Sequence, residues 1–149
     1  MSYKVVDLFA GVGGLSYGFA HDSDFQIVAA NEILKPMAQA YSANHPTVKV
    51  YNKDIKDFSL NDLTIDFGIK EGDIDIVVGG PPCQAYSTAG RVRDVKGMAK
   101  DPRNFLFESY VKILEYFRPK FFVFENVTGI WSAKVNGKHI LPQVLDALG

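Results

Sequence analysis

Cys83 and Glu125 are the two residues whose types and settings suit covalent and acid–base chemistry. Cys83 is the chain's one cysteine and stands in Gly79-Gly80-Pro81-Pro82-Cys83-Gln84. A free cysteine most often serves as a small buried hydrophobe. Two glycines and two prolines behind a strand are an unusual place to bury one, and the prolines stiffen the backbone that aims the sulfur. A thiolate nucleophile wants that presentation, with neighbours that lower its pKa. No His-Asn or His-Asp partner lies near it in sequence, which argues against a cysteine protease. Glu125 opens Glu125-Asn126-Val127, directly behind Phe121-Phe122-Val123-Phe124. A carboxyl group beside aromatics is favoured in its neutral form and can donate a proton. The plain alternative is a helix-capping pair. At neighbouring strand ends the two residues would make a nucleophile and its acid partner.

A second group suits a nucleotide-like ligand. Phe9-Ala10-Gly11-Val12-Gly13-Gly14 closes a β-prone run, and glycines there let the backbone turn tightly and approach a ligand. The alternative is a plain tight turn. Ser16 stands at the third glycine position of a dinucleotide fingerprint, so that match is imperfect, and a nicotinamide-binding domain leaves Pro81-Pro82-Cys83-Gln84 unexplained. Glu32 ends the second strand about twenty residues later, where an acid can hydrogen-bond both hydroxyls of a ribose. Asp54 follows the third strand and is placed to touch an adenine, or to serve as an ordinary turn residue. Between Ser87 and Arg103 stand Arg91, Arg93, Lys96, Lys100 and Arg103 against Asp94 and Asp101, with Gly90 and Gly97 free to flex. Such a loop can cover a site and grip phosphates, or it can be a solvated surface.

The elements that must position these residues alternate. Val5 to Phe9, Phe25 to Ala30, Val48 to Tyr51, Ile74 to Val78 and Phe121 to Phe124 read as strands. Leu15 to Ala20, the stretch from Pro36 to Asn44, Phe105 to Phe117 and Ile140 to Leu148 read as helices. Pro36 suits a first helical position, and Pro119 stops the third helix. The stretch from Asp57 to Asp73 reads as a polar connection with one short helix. Continuous Val/Ile/Phe runs suit strands covered on both faces, so the expected fold class is α/β with a mostly parallel, doubly wound sheet. Gly11, Glu32, Asp54, Cys83 and Glu125 each follow a strand end. In an open parallel sheet those positions line one edge, where ligands bind.

Composition excludes several classes. The 149 residues carry a formal net charge of -1, which excludes a generally basic nucleic-acid binder but leaves a local basic patch open. Hydrophobic content of 47% and charged content of 22% exclude a disordered chain. One cysteine and three scattered histidines exclude an internal disulfide framework and give no metal-ligand spacing, so no metal is expected. No apolar stretch is long enough to span a bilayer, and the N-terminus lacks a signal-peptide layout, so a cytoplasmic setting is expected.

Taken together, these residues resemble the cytosine carbon-5 DNA methyltransferase family over nearly the whole chain, with the motifs in the family's order. Asp7-Leu8-Phe9-Ala10-Gly11-Val12-Gly13-Gly14 resembles its first cofactor motif. Asn31-Glu32, followed by Ile33, resembles the ribose-binding motif, and Asp54-Ile55 the adenine-side motif. Gly80-Pro81-Pro82-Cys83-Gln84-Ala85-Tyr86-Ser87 resembles the catalytic Pro-Cys-Gln motif, with Tyr86 where phenylalanine is commoner. Asp101-Pro102-Arg103-Asn104-Phe105-Leu106-Phe107 resembles the helix-start motif, and Glu125-Asn126-Val127 the Glu-Asn-Val motif.

The resemblance implies a Rossmann-like, S-adenosyl-L-methionine-dependent methyltransferase sheet acting on carbon 5 of cytosine in double-stranded DNA, in the bacterial cytoplasm. It implies Cys83 and Glu125 as the catalytic pair on a flipped base. It implies a cofactor pocket of Phe9, Ala10, Gly11, Val12, Gly14, Asn31, Glu32, Ile33, Asp54, Ile55, Pro82 and Leu106. It places Gln84, Ser87, Arg91, Asn126 and Val127 against DNA. Members of this kind continue past the position of Gly149 with a Gln-Arg-Arg-like motif, a target-recognition region and a returning segment. The expectation is therefore an incomplete domain over residues 1–149, ending after the fifth strand and its following helix. It would be one part of a split enzyme or a shortened product, with a second polypeptide as partner and no sequence-specific methylation alone. The fifth strand would then be an apolar edge open to self-association. A tRNA cytosine methyltransferase of the same family and a catalytically silent cofactor-binding or assembly subunit are the competing readings.

Overall fold

The computed structural model describes residues 1–82, 106–135 and 137–149. Five parallel strands form one sheet: β1 (Tyr3–Leu8), β2 (Phe25–Asn31), β3 (Lys49–Tyr51), β4 (Ile76–Gly79) and β5 (Phe121–Phe124), in the order β3-β2-β1-β4-β5. The chain winds outward from β1 to β3, then returns to place β4 on the other side of β1. The crevice beyond the carboxyl ends of β1 and β4 is thus the switch point, where an open α/β sheet binds its ligand.

Alternation along the strands sorts the two faces. Val6, Leu8, Ala29 and Val77 point to the larger core, which α3 (Leu60–Phe67) and α4 (Leu106–Phe117) cover. On α4 the buried residues are Phe107, Tyr110, Ile113 and Phe117, a helical stripe. The Tyr110 hydroxyl is shared between the carbonyls of Val77 at 3.2 Å and Val123 at 2.9 Å, so one helix residue ties β4 to β5. Phe117 is fully buried, and truncating such a side chain to alanine costs about 3–5 kcal/mol. Val5, Ile27, Ile76 and Val78 point to the opposite face, where Phe19 of α1 (Tyr17–Ala20) and Tyr41 of α2 (Lys35–Asn44) lie.

The Rossmann-like α/β reading is realised, with local differences. Phe9 leaves the strand because its backbone turns to φ +53, and the Ala10 N–H then reaches the Asn31 carbonyl at 3.1 Å. The first helix begins at Tyr17 rather than Leu15. After β5 comes more than one helix: a 3-10 turn (Thr128–Trp131) and a short antiparallel hairpin of β6 (Lys134–Val135) and β7 (Lys138–His139) precede α5 (Ile140–Leu148). Two-residue strands are too short to show an alternating pattern. Ile130, Val135, Ile140 and Val144 bury themselves against Phe107 in a second, small core.

β5 is the sheet's edge among the described residues, and Phe121 is 67% exposed, Phe122 43% and Val123 41%. No helix among the described residues is long and apolar enough to cross a membrane.

Candidate active site

The turn after β1 needs glycine at two positions. Gly11 and Gly13 have φ of +55 and +92, conformations that favour glycine. Three side chains, one just past β2 and two at the end of α2, pin this turn at successive residues. Glu32 Oε2 accepts the Gly11 N–H at 2.8 Å, Asn44 Nδ2 donates to the Val12 carbonyl at 2.8 Å, and His45 Nε2 lies 3.0 Å from the Gly13 carbonyl. A carbonyl only accepts, so the His45 tautomer that bonds here carries its proton on Nε2.

Glu32 is buried, and its second oxygen, Oε1, accepts the Leu34 N–H at 2.8 Å. The carboxylate therefore joins the turn after β1 to the segment after β2. Asn31 fixes the next layer, its amide donating to the carbonyls of Tyr51 at 3.0 Å and Lys53 at 2.9 Å. Above these groups lies a cavity of about 260 Å³ lined by Phe9, Gly11, Asn31, Glu32, Ile33, Leu34, Met37, Gly80 and Pro82.

Glu125 arrives from the other side. β4 and β5 pair up to Gly79 and Phe124, and the Glu125 N–H donates to the Gly79 carbonyl at 2.9 Å, one step past the last pair. Gly80 lies directly beneath the carboxylate: a side-chain carbon on Gly80 would fall 2.5 Å from Glu125 Oε2. Gly79 is equally confined, since a carbon there would fall 2.8 Å from the Leu8 carbonyl oxygen and 2.9 Å from the Tyr110 ring. Both glycines are therefore dictated by close approach rather than by turn geometry.

Beneath the turn, Asp7 is fully buried near the carboxyl end of β1, between Ala30 and Val78. Burial pushes its carboxyl up to about 7, the Ser16 and Tyr41 hydroxyls hold it down in part, and the Glu32 charge adds to the rise. Neither of its oxygens has a hydrogen bond of good geometry among the described residues, while the nearby Ser16 and Tyr41 hydroxyls bond to each other at 2.9 Å.

Of the expected cofactor residues, Phe9, Gly11, Asn31, Glu32, Ile33 and Pro82 line the cavity. Ala10 is buried behind the turn, Val12 is 46% exposed, and Gly14 is exposed. Asp54 caps the 3-10 turn Ile55–Asp57, accepting the Lys56 N–H at 2.9 Å. Ile55 is packed in the larger core, and Leu106 rests against that core. Asn126 and Val127 follow Glu125, with the Asn126 carboxamide oxygen accepting the Val127 N–H at 2.8 Å. Cys83, Gln84, Ser87 and Arg91 lie outside the described residues. The sequence reading missed Leu34, Met37, Asn44 and His45. Asn44 and His45 act across 32 positions of chain, a separation no local pattern reveals.

The model of the C-5 cytosine-specific DNA methylase family matches residues 3–149. The chain belongs to that family. Among methylases of this family, it is 41% identical over 142 residues to the Type II methyltransferase M.DdeI of Desulfomicrobium norvegicum, covering 95% of this chain and 32% of the relative. It is 38% identical over 149 residues to the Type II methyltransferase M.AgeI of Thalassovita gelatinovora, covering 98% and 33%. The chain thus spans about a third of the length of these relatives. A crystal structure of an Escherichia coli prophage protein, described as a DNA modification methyltransferase, superposes with a TM-score of 0.76 at 29% identity, covering 99% of this chain and 38% of that one.

Proposed function

We propose that this chain is the cofactor-binding and catalytic part of an enzyme that methylates carbon 5 of cytosine in DNA. The observation that carries the reading is the seating of Glu125 over Gly80, a cavity-lining residue, with Glu32 closing the same cavity from the end of β2. An acid and a cofactor-type carboxylate thereby serve one crevice at the switch point.

The residues fit an adenosyl group. Glu32 spends one acceptor direction of each oxygen on a backbone N–H, and a carboxylate has about four, so acceptors remain for ribose hydroxyls. Phe9, Ile33 and Met37 give apolar walls suited to a purine. S-adenosyl-L-methionine, when bound, supplies the methyl group.

The chain's own residues do the rest. The target cytosine leaves the duplex stack, since its ring carbons are unreachable inside it. The Cys83 thiolate attacks carbon 6, and the electron pair moves through the ring so that carbon 5 becomes nucleophilic. Glu125 holds a proton at ring nitrogen 3 and spreads the developing charge. Once carbon 5 carries the methyl group, its proton passes to water, the carbon 5–carbon 6 double bond re-forms as Cys83 leaves as the thiolate, and the proton on ring nitrogen 3 returns to Glu125. Gln84, Ser87, Arg91, Asn126 and Val127 contact the DNA, which acts as the partner, within the bacterial cytoplasm. The relatives are about three times as long as this chain, and target recognition would come from the remainder of such an enzyme. Methyl transfer to DNA that is abolished by Cys83→Ser and reduced by Glu125→Gln supports this reading; transfer that survives Cys83→Ser contradicts it.

A further inference from the structure

We propose that Asn44 and His45, at the end of α2, are positioning residues that preset the turn after β1 for its ligand; this rests on reading the neighbouring cavity as the cofactor site. A turn with glycines at φ +55 and +92 has many accessible conformations, and a single bond within Ala10–Gly13, from the Gly13 N–H to the Ala10 carbonyl at 3.0 Å, restricts them from inside. Glu32 fixes only its first N–H. Asn44 and His45 fix the next two carbonyls, which fixes the peptide planes at Val12 and Gly13. His45 is itself held: it is 4% exposed, its N–H donates to the Tyr41 carbonyl at 2.8 Å, and its ring lies 4.5 Å from the Tyr41 ring. The fit to the turn is tight, since a side-chain carbon on Gly13 would fall 2.3 Å from His45 Nε2.

Ordering a loop beforehand removes a cost that binding otherwise bears. The clamp therefore acts on affinity without touching the ligand. Neither residue lines the cavity.

The test compares the unaltered chain with Asn44→Ala, His45→Leu and His45→Gln by three readouts: S-adenosylhomocysteine titration, melting temperature, and amide hydrogen exchange at Gly11–Gly14. Asn44 is exposed on the helix surface, so Asn44→Ala keeps the fold. The expected result is an affinity loss of about fivefold for Asn44→Ala and for His45→Leu, one hydrogen bond each. Exchange at the turn should quicken in both. His45→Gln, which keeps an N–H donor, should restore affinity and protection. Unchanged affinity and exchange in Asn44→Ala and His45→Leu would overturn the proposal, as would a His45→Gln variant no better than His45→Leu. If the unaltered chain does not bind the probe, the cofactor reading fails, while the exchange comparison still decides whether the turn is clamped.

Discussion

Glu125 lies across Gly80, its Oε2 2.5 Å from the point where any side chain on Gly80 would begin. The contact follows from register, since Gly79 and Phe124 are the last paired residues of β4 and β5 and the next residue on each strand meets the other. Gly80→Ala should therefore push the carboxylate aside while leaving the sheet intact. The expected loss of methyl transfer in the assembled enzyme is about tenfold to a hundredfold, approaching that of Glu125→Gln, for which general acid catalysis sets a range of about 10²–10⁴. Binding of S-adenosylhomocysteine should change little in Glu125→Gln. Full activity in Gly80→Ala would show that Glu125 need not sit where it does.

Asp7 gives the stability a pH dependence of definite sign. Its carboxyl titrates near 3.8 when unfolded and near 7 when folded, because burial disfavours its charge. The folded state thus holds an extra proton between these values, so the contribution is complete below the lower one and is lost as pH rises through the upper one. Asp75 works in the opposite sense: the Lys120 ammonium and the Lys4 N–H hold it below the usual range, so its contribution is lost only on strong acidification. Asp7→Asn should flatten the decline in unfolding free energy between about pH 4 and 7, with a gain at the upper end of at most a few kcal/mol. Parallel curves for the two proteins would mean that Asp7 is compensated.

The open edge of β5 makes a prediction about association. Among the described residues β5 is an edge strand with Phe121 and Val123 exposed, and an apolar strand edge is a template for pairing with a second chain. Light scattering of the 149-residue chain should show mass rising with concentration, and Phe121→Lys should suppress the rise. A monodisperse monomer at high concentration would remove this expectation.

Much of the fold was legible because burial on both faces leaves an uninterrupted apolar signature. Val5-Val6 and Ile76-Val77-Val78 announce central strands, and Pro36 and Pro119 mark helix limits near where α2 begins and α4 ends. Residue type after a strand was enough to pick out neighbours: Gly11, Glu32 and Pro82 line one cavity, and Glu125 lies over Gly80 in its wall. What stayed hidden depends on long-range fit. Asp7 sits within an ordinary-looking strand run, and only burial between Ala30 and Val78 makes it unusual. Leu34 and Met37 line the cavity because Glu32 draws in the backbone at Leu34. Asp54 and Ile55 are motif residues whose visible roles here are a cap and a core contact.

The most direct test of the account is calorimetric titration of S-adenosylhomocysteine into this chain, with Glu32→Ala as the control. Glu32 both closes the cavity and holds Gly11 and Leu34, so the account predicts binding to the unaltered chain and a loss of at least about a hundredfold in the variant, since two hydrogen bonds to a charged group amount to about 3 kcal/mol or more. Equal binding by the two proteins, or no binding by the folded unaltered chain, would contradict it.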